Sequence, residues 1–284
     1  MSEKIAIITD SNSGISQKDA KELGITVIPM PFIINGSEFF EDINLTVEQF
    51  YEKLKGGAEV STSQPTVATV LDLWDELLKT HDTILHIPMS SGLSGSCATA
   101  TALALDYENK VFVVDNQRIS VTLLASVFEA KRMADEGRTA AEIKKHLVDT
   151  RFDSSIYIML DTLSYLKKGG RVTPAAEMIA TVLRIKPVLK LQGEKLDAFA
   201  KARSEKQGRL IMIDAMKADI DSRLGGIENV RLYIAHTDNI DAATEFAGEV
   251  EEAFGIKPLI TAELSLSVSC HIGPGSLALA CAVK

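Results

Sequence analysis

Hydroxyls and glycines crowd residues 90–96, Ser-Ser-Gly-Leu-Ser-Gly-Ser, directly after a stretch in which Ile84, Leu85 and Ile87 read as a buried strand bounded by Pro88. From Cys97 onward the sequence is rich in helix formers, so the hydroxyl run must turn the chain from strand to helix. A helix start offers backbone N–H groups that have no partner within the helix, aligned with the positive end of its dipole. That is the chemistry of an anion site, suited to a carboxylate or a phosphate. Ser94 is the expected N-cap and adds a hydroxyl. The competing reading is plainer: Ser94 only caps its helix, and Gly92 and Gly95 only relieve a tight turn.

The elements around this stretch repeat its plan. Residues 4–9 form an apolar strand followed by Asp10-Ser11-Asn12-Ser13-Gly14, after which Ser16 caps a short helix that Gly24 ends. Residues 110–114 form another apolar strand, ending in Asp115-Asn116-Gln117-Arg118, ahead of helices over 120–136 and 139–148. Three strands, each followed by a polar turn and a helix, predict a parallel α/β sheet with right-handed crossovers. Ligands of such sheets bind beyond the carboxyl ends of the strands, where Asp10, Ser11, residues 90–95 and Asp115 gather. Asn35-Gly36 predicts a two-residue hairpin, which Pro29 and Pro31 place at a sheet edge. Thr46 caps a helix to about residue 54. A second hydroxyl-rich stretch, Ser61-Thr62-Ser63-Gln64-Pro65, reads in isolation as a polar linker held extended by its proline, before Thr66 caps a helix to about residue 78.

Past residue 153 the pattern changes, and a second domain is expected over 154–284 after a first over 1–153. Its expected elements are a strand to residue 160, a short helix over 162–167, then Lys168-Gly169-Gly170-Arg171, with Thr173 before Pro174 opening another helix. Residues 185–191 and 195–202 flank Gln192-Gly193-Glu194 as a hairpin. A helix over 204–223, a strand over 230–235 and a helix over 240–254 follow. Two extended segments, 257–262 and 277–283, lie around Cys270-His271-Ile272-Gly273-Pro274-Gly275.

Composition excludes several classes. Thirty basic against thirty-nine acidic residues give a net charge of -9, which repels a polyanion, and no basic run carries interleaved aromatics. Nucleic acid is therefore not an expected partner. Residues 5–8 are too short for a secretory core, and no stretch is long enough to span a bilayer, so a cytoplasmic protein without membrane insertion is expected. Cys97, Cys270 and Cys281 are odd in number and far apart, which suits neither a disulfide framework nor a zinc site. His81, His86, His146, His236 and His271 form no pair at metal-ligand spacing, and there is no Walker loop or dinucleotide fingerprint. Neither a metal nor a cofactor is expected.

Thr9-Asp10-Ser11, Thr62-Ser63-Gln64-Pro65, residues 90–95, residues 166–171, Ile185-Lys186-Pro187 and His271-Ile272-Gly273-Pro274-Gly275 together resemble the DegV family, in the right order over nearly the whole chain. The resemblance implies a non-enzymatic two-domain α/β protein, a parallel-sheet domain and a mixed-sheet domain, that binds one long-chain fatty acid in a tunnel between them. It also implies a partner, a separate ATP-using fatty acid kinase that makes an acyl phosphate. Carried over by residue, it puts Thr62, Ser94, the N–H of Gly95 and His271 on the carboxylate. Arg171 and Arg203 it puts at the pocket mouth or partner contact. Hydrogen bonds to a charged acceptor are worth about 1.5–3 kcal/mol each, so three convergent donors offset the desolvation of a buried carboxylate. Each buried methylene of the tail adds roughly 0.8 kcal/mol. The chain departs from the family pattern over 115–122, where Arg118 and Val121 are bulkier than the Ser/Gly-rich run usual there.

A rival from another class is a serine-type acyl hydrolase with Ser94 or Ser91 as nucleophile and His271 as base. Against it, residues 90–96 lack the Gly-x-Ser-x-Gly elbow, and no acid is placed by sequence to orient His271.

Overall fold

Ile5–Asp10 (β1) buries its last five residues in succession, as a parallel strand covered by helices on both faces must. In the computed structural model, which describes residues 3–179, 185–193 and 195–284, the chain divides into two units, Met1–Arg151 and Phe152–Lys284.

In the first unit β1 is followed by Gln17–Leu23 (α1), Thr26–Ile28 (β2), Phe32–Ile34 (β3), Ser37–Phe39 (β4), Val47–Lys55 (α2) and Val60–Thr62 (β5). Then come Val67–Leu77 (α3), Thr83–Ile87 (β6), Ser96–Ala104 (α4), Val111–Val113 (β7), Ser120–Asp135 (α5) and Ala140–Asp149 (α6). The three expected strands pair in parallel, and β2 adds a fourth, in the order β2-β1-β6-β7. One side packs Ala6, Ile8, Ile84 and Val113 against Val70 and Trp74 of α3 and Cys97 and Ala100 of α4. Helices α5 and α6 pack on β1, β6 and β7 and bury Leu123, Val127, Ile143 and Leu147.

The hairpin forms where expected: Asn35 and Gly36 take φ of 50° and 82°, as a type I′ turn requires, and join β3 to β4. It lies outside the parallel sheet, with β4 as the outer strand of a sheet of its own and β3 inside it. Strand β5 pairs with the other side of β3, so β4-β3-β5 is a separate antiparallel sheet. Phe32 is fully buried there, edge-on to Phe50 of α2 at 5.8 Å, and this small aromatic core supports a sheet of short strands.

Helix starts follow the caps read from sequence. The hydroxyls of Thr46, Thr66 and Thr139 accept from the N–H groups of Gln49, Thr69 and Glu142, and the first and last complete capping boxes. Thr139→Ala should lower the unfolding free energy by about 1 kcal/mol, read as a lower urea midpoint at unchanged slope.

The second unit comprises Ser154–Met159 (β8), Ser164–Gly169 (α7), Pro174–Ile179 (α8), Lys186–Leu191 (β9), Asp197–Ala202 (β10) and Glu205–Arg223 (α9). Val230–His236 (β11), Ile240–Phe254 (α10), Ile260–Glu263 (β12), Leu266–Ile272 (α11) and Leu277–Val283 (β13) complete it. The sheet order is β10-β9-β8-β13-β11-β12, mixed because β11 and β12 alone are parallel among otherwise antiparallel pairs. Strand β13 is central, and its sequence, Leu-Ala-Leu-Ala-Cys-Ala-Val, is correspondingly apolar throughout. Met212, Met216 and Ile220 of α9 and Ala243, Phe246 and Val250 of α10 pack with Leu232, Ile234, Leu277 and Leu279. In the β9–β10 hairpin turn, Glu194 lies outside the described residues. Residues 266–272, between the two extended segments, form the helix α11, an element not read from the sequence. Among the described residues no helix is long and apolar enough to cross a membrane.

Candidate functional site

The carboxyl ends of β1 and β6 are tied together by side chains. Thr9, fully buried, donates its hydroxyl to the carbonyl of Ile87 at 2.9 Å. The carboxylate of Asp10, 2 % exposed, accepts from the N–H of Asn12 at 2.9 Å and from the N–H of Met89 at 2.8 Å. Burial pushes Asp10 up to about 6, and the two backbone donors hold it from rising further. The loop after β6 is also fixed to the end of β7. Ser90 N–H donates to the carbonyl of Arg118 at 2.9 Å, and Ser91 N–H to Oδ1 of Asp115 at 3.3 Å.

At the start of α4 the cap differs from the one read in sequence. Gly95, in helical conformation, occupies the N-cap position, and Ser94 stands one residue before it. The Ser94 hydroxyl accepts from the N–H of Ser96 at 3.2 Å, a local turn bond of the kind serine favours. A hydroxyl that accepts this bond still has its own proton to donate. Gln64 joins this loop to the second hydroxyl stretch: its Oε1 accepts from Thr99 Oγ1 of α4 at 3.2 Å. A Cβ at position 95 would lie 3.1 Å from that same oxygen, so glycine there suits the approach of Gln64. Thr62, half-buried, ends β5 opposite Phe32, and Ser63 N–H donates to the carbonyl of Pro31 at 3.1 Å. Gln64 is legible in sequence as part of a linker and of a family motif, with no role of its own; its link to α4 appears only in the fold.

Within the atypical run 115–122, Asp115 holds the loop, whereas the Arg118 side chain is engaged elsewhere. Arg118, 4 % exposed, donates to the Thr150 carbonyl at 2.6 Å and to Ser126 Oγ at 3.0 Å. Its guanidinium thus serves the carbonyl end of α6, where a cation is favoured. Val121 is buried in the first turn of α5.

In the second unit His271 sits in the last turn of α11. Burial, with the positive charge of Arg171 adding to it, pushes its imidazole down to about 4, so the ring is neutral at ordinary pH. The following loop is held by Thr237 at the end of β11, a residue sequence reading passed over. Its buried hydroxyl donates to the Gly273 carbonyl at 2.7 Å and accepts from Ser276 N–H at 2.9 Å. A signal for it existed: Thr237-Asp238 ends a strand as Thr9-Asp10 does, and both threonines are fully buried. Gly273 has φ of 73°, with the ring of Tyr165 from α7 directly over it. Arg171 is half-buried and its carbonyl accepts from Leu196 N–H at 3.4 Å, whereas Arg203 is exposed ahead of α9. The structure thus links Gln64, two residues past Thr62, to the loop of Ser94 and Gly95 in the first unit, and puts the charge of Arg171 within reach of His271 in the second. Among the described residues no group of histidine, cysteine, aspartate or glutamate side chains could hold a metal ion.

The comparisons with known proteins agree along the whole chain. The model of a family described as "Uncharacterised protein, DegV family" matches residues 4–284. A DegV domain-containing protein of Staphylococcus aureus is 28% identical, over 97% of this chain and 98% of its own length. A DegV family protein of Thermus thermophilus, solved for its fatty acid binding, superposes with a TM-score of 0.90 at 28% identity, covering 99% of this chain and 100% of that one. DegV of Bacillus subtilis, described as a fatty acid binding protein, gives a TM-score of 0.88 at 25% identity, with 100% of both chains covered. With these matches over one continuous two-unit fold, the chain belongs to the DegV family.

Proposed function

We propose that this protein binds a single long-chain fatty acid and acts as a carrier, without catalysis of its own. The observation that carries the reading is the full-length likeness to two solved DegV proteins described as binding fatty acid. On this reading the hydroxyls of Thr62 and Ser94 and the N–H of Gly95 donate to the carboxylate, and neutral His271 contributes a ring N–H. The free proton of the Ser94 hydroxyl supports its part. A separate ATP-using fatty acid kinase then phosphorylates the presented carboxylate, with Arg171 and Arg203 serving the pocket mouth or the contact with that partner. A guanidinium fork suits phosphoryl oxygens. The acyl hydrolase reading is disfavoured because an imidazole held down at about 4 is a weak general base at neutral pH.

Mass spectrometry of the purified protein under native and then denaturing conditions tests the reading. One fatty acid released per chain is expected; a chain that comes empty and takes up none when it is supplied overturns it. Thr62→Ala and Ser94→Ala should each weaken binding by about 1.5–3 kcal/mol with the unfolding midpoint kept, because each removes one donor from a charged acceptor. Unchanged affinity in both, and in the double variant, moves the carboxylate elsewhere.

A further inference from the structure

We propose that Asp10 is the positioning residue of the head-group loop: its ionised carboxylate clamps the loop after β6 to the end of β1, and acid loosens the fatty acid site by protonating it. The inference rests on the reading that Ser94 and Gly95 of that loop hold the ligand.

The geometry makes the clamp a two-ended one. Oδ1 takes the N–H of Asn12 on Asp10's own turn, and Oδ2 takes the N–H of Met89, the residue that opens the 90–95 loop. Asn12 adds a contact from its side chain to Met89 Sδ at 2.9 Å, so both ends of the clamp meet the same residue. Both carboxylate oxygens face backbone donors. A proton arriving on either oxygen removes the charge, so the bonds from Asn12 and Met89 fall from charge-assisted to neutral strength and the clamp weakens. Asparagine at this position carries no charge and loses one of the two bonds outright, since its amide nitrogen accepts nothing.

The surroundings let Asp10 respond alone near pH 6. From β6, His86 is pushed down to about 4 by burial, and from α4 the Cys97 thiol is pushed up to about 12, so both stay neutral there. Asp115 at the end of β7 holds Ser91 N–H, and its charge and that of Lys144 in α6 reach Cys97. Arg118, ahead of α5, turns to the Thr150 carbonyl, and the α5 side chains Thr122 and Ser126 near its start are uncharged. Asp10 itself is raised by burial from 3.8 to about 6. A carboxyl raised in the folded state favours folding below 3.8, and this advantage is lost as pH rises through about 6. The ionised clamp is therefore kept at a cost to global stability. Acid makes the chain more stable through this group while it weakens the hold on the loop.

The test follows the Met89 and Asn12 amide protons by NMR in the full chain from pH 7.5 to 5, with the dissociation rate of bound palmitate measured over the same range. In the wild type the Met89 amide should move upfield with a midpoint near 6, matching Asp10. Palmitate release should speed roughly tenfold on acidification, the worth of about one charge-assisted hydrogen bond. Asp10→Asn should release palmitate fast at every pH and show no Met89 midpoint. The ligand's own carboxyl titrates alike in both chains, so the difference belongs to Asp10. A Met89 amide without a midpoint, or an Asp10→Asn chain whose release follows the wild-type pH curve, overturns the proposal. Should Asp10→Asn fail to fold, the wild-type amide titration decides by itself, with a midpoint expected and a flat trace overturning. A chain that takes up no palmitate at any pH refutes the carrier function, while the amide titration still shows whether the clamp exists.

Discussion

Gly273→Ala should destabilise the protein by roughly 2–6 kcal/mol and loosen the turn that carries His271. Two costs add. At φ of 73° and ψ of 177° an alanine enters a region essentially confined to glycine, at a cost of about 1–3 kcal/mol. Its Cβ would also lie 2.3 Å from Cδ2 and 2.4 Å from Cε2 of Tyr165, closer than any real contact, so the ring must leave or the loop must shift. That loop is fixed from the other side by Thr237, whose hydroxyl holds the Gly273 carbonyl, so it has little room to yield. The second cost is separable by a double-mutant cycle with Tyr165→Ala, measured by urea unfolding. Truncating the ring should recover the steric part, giving a coupling of 1 kcal/mol or more on the scale of about 0.5–3 kcal/mol seen for residues in contact, while the φ penalty stays. Strictly additive costs would show that the Tyr165 ring does not cover Gly273. Under the carrier reading Gly273→Ala also weakens fatty acid retention, since His271 lies two residues away.

The strands that position the site were legible because each obeys one strong rule. Runs such as residues 5–8 and Leu277–Val283 are apolar without interruption, as a strand buried on both faces needs. Caps were legible for the same local reason: Thr46, Thr66 and Thr139 each bond an amide three residues on. What sequence misplaced depends on partners far along the chain. Residues 61–65 read in isolation as a linker until β3 pairs with the strand that ends at Thr62, and the hairpin's place in a sheet separate from the parallel one depends on that same pairing. Ser94 read as a cap because serine commonly is one, yet Gly95 tolerates the approach of Gln64 and takes the position. Helix α11 escaped because Ser265, Ser267 and Ser269 interrupt its apolar pattern; their burial inside the fold could not be read from residues that usually lie outside it. The serine side chain in helix, bonding back to the carbonyl four residues earlier as Ser269 does to Ser265, is a tertiary accommodation and not a propensity.

His86→Phe should make the protein markedly more resistant to acid. His86 lies on β6 between β1 and β7, 4 % exposed, edge-on to Trp74 with ring centroids 5.8 Å apart. Its Nδ1 has no hydrogen-bond partner among the described residues, so the ring is kept for its shape and packing. Burial pushes its pKa from 6.5 down to about 4. An imidazole lowered in the folded state binds its proton first in the unfolded chain. Its stability contribution is complete above 6.5 and is lost as pH falls from there through about 4, by up to about 3 kcal/mol. Phenylalanine keeps the edge-on contact with Trp74 and carries nothing to protonate. At pH 7 the two proteins should differ by no more than about 1 kcal/mol, the usual range for a swap that conserves volume. At pH 4.5 the variant should be the more stable by about 2–3 kcal/mol, read from urea midpoints at the two pH values. His271, lowered in the same direction, and Asp10, raised in the opposite sense, contribute equally to both proteins and cancel in the difference. Stability curves that run parallel from pH 7 to 4.5 would mean that His86 accepts a proton inside the fold, and that Trp74 and the parallel sheet accommodate an imidazolium where burial should forbid it.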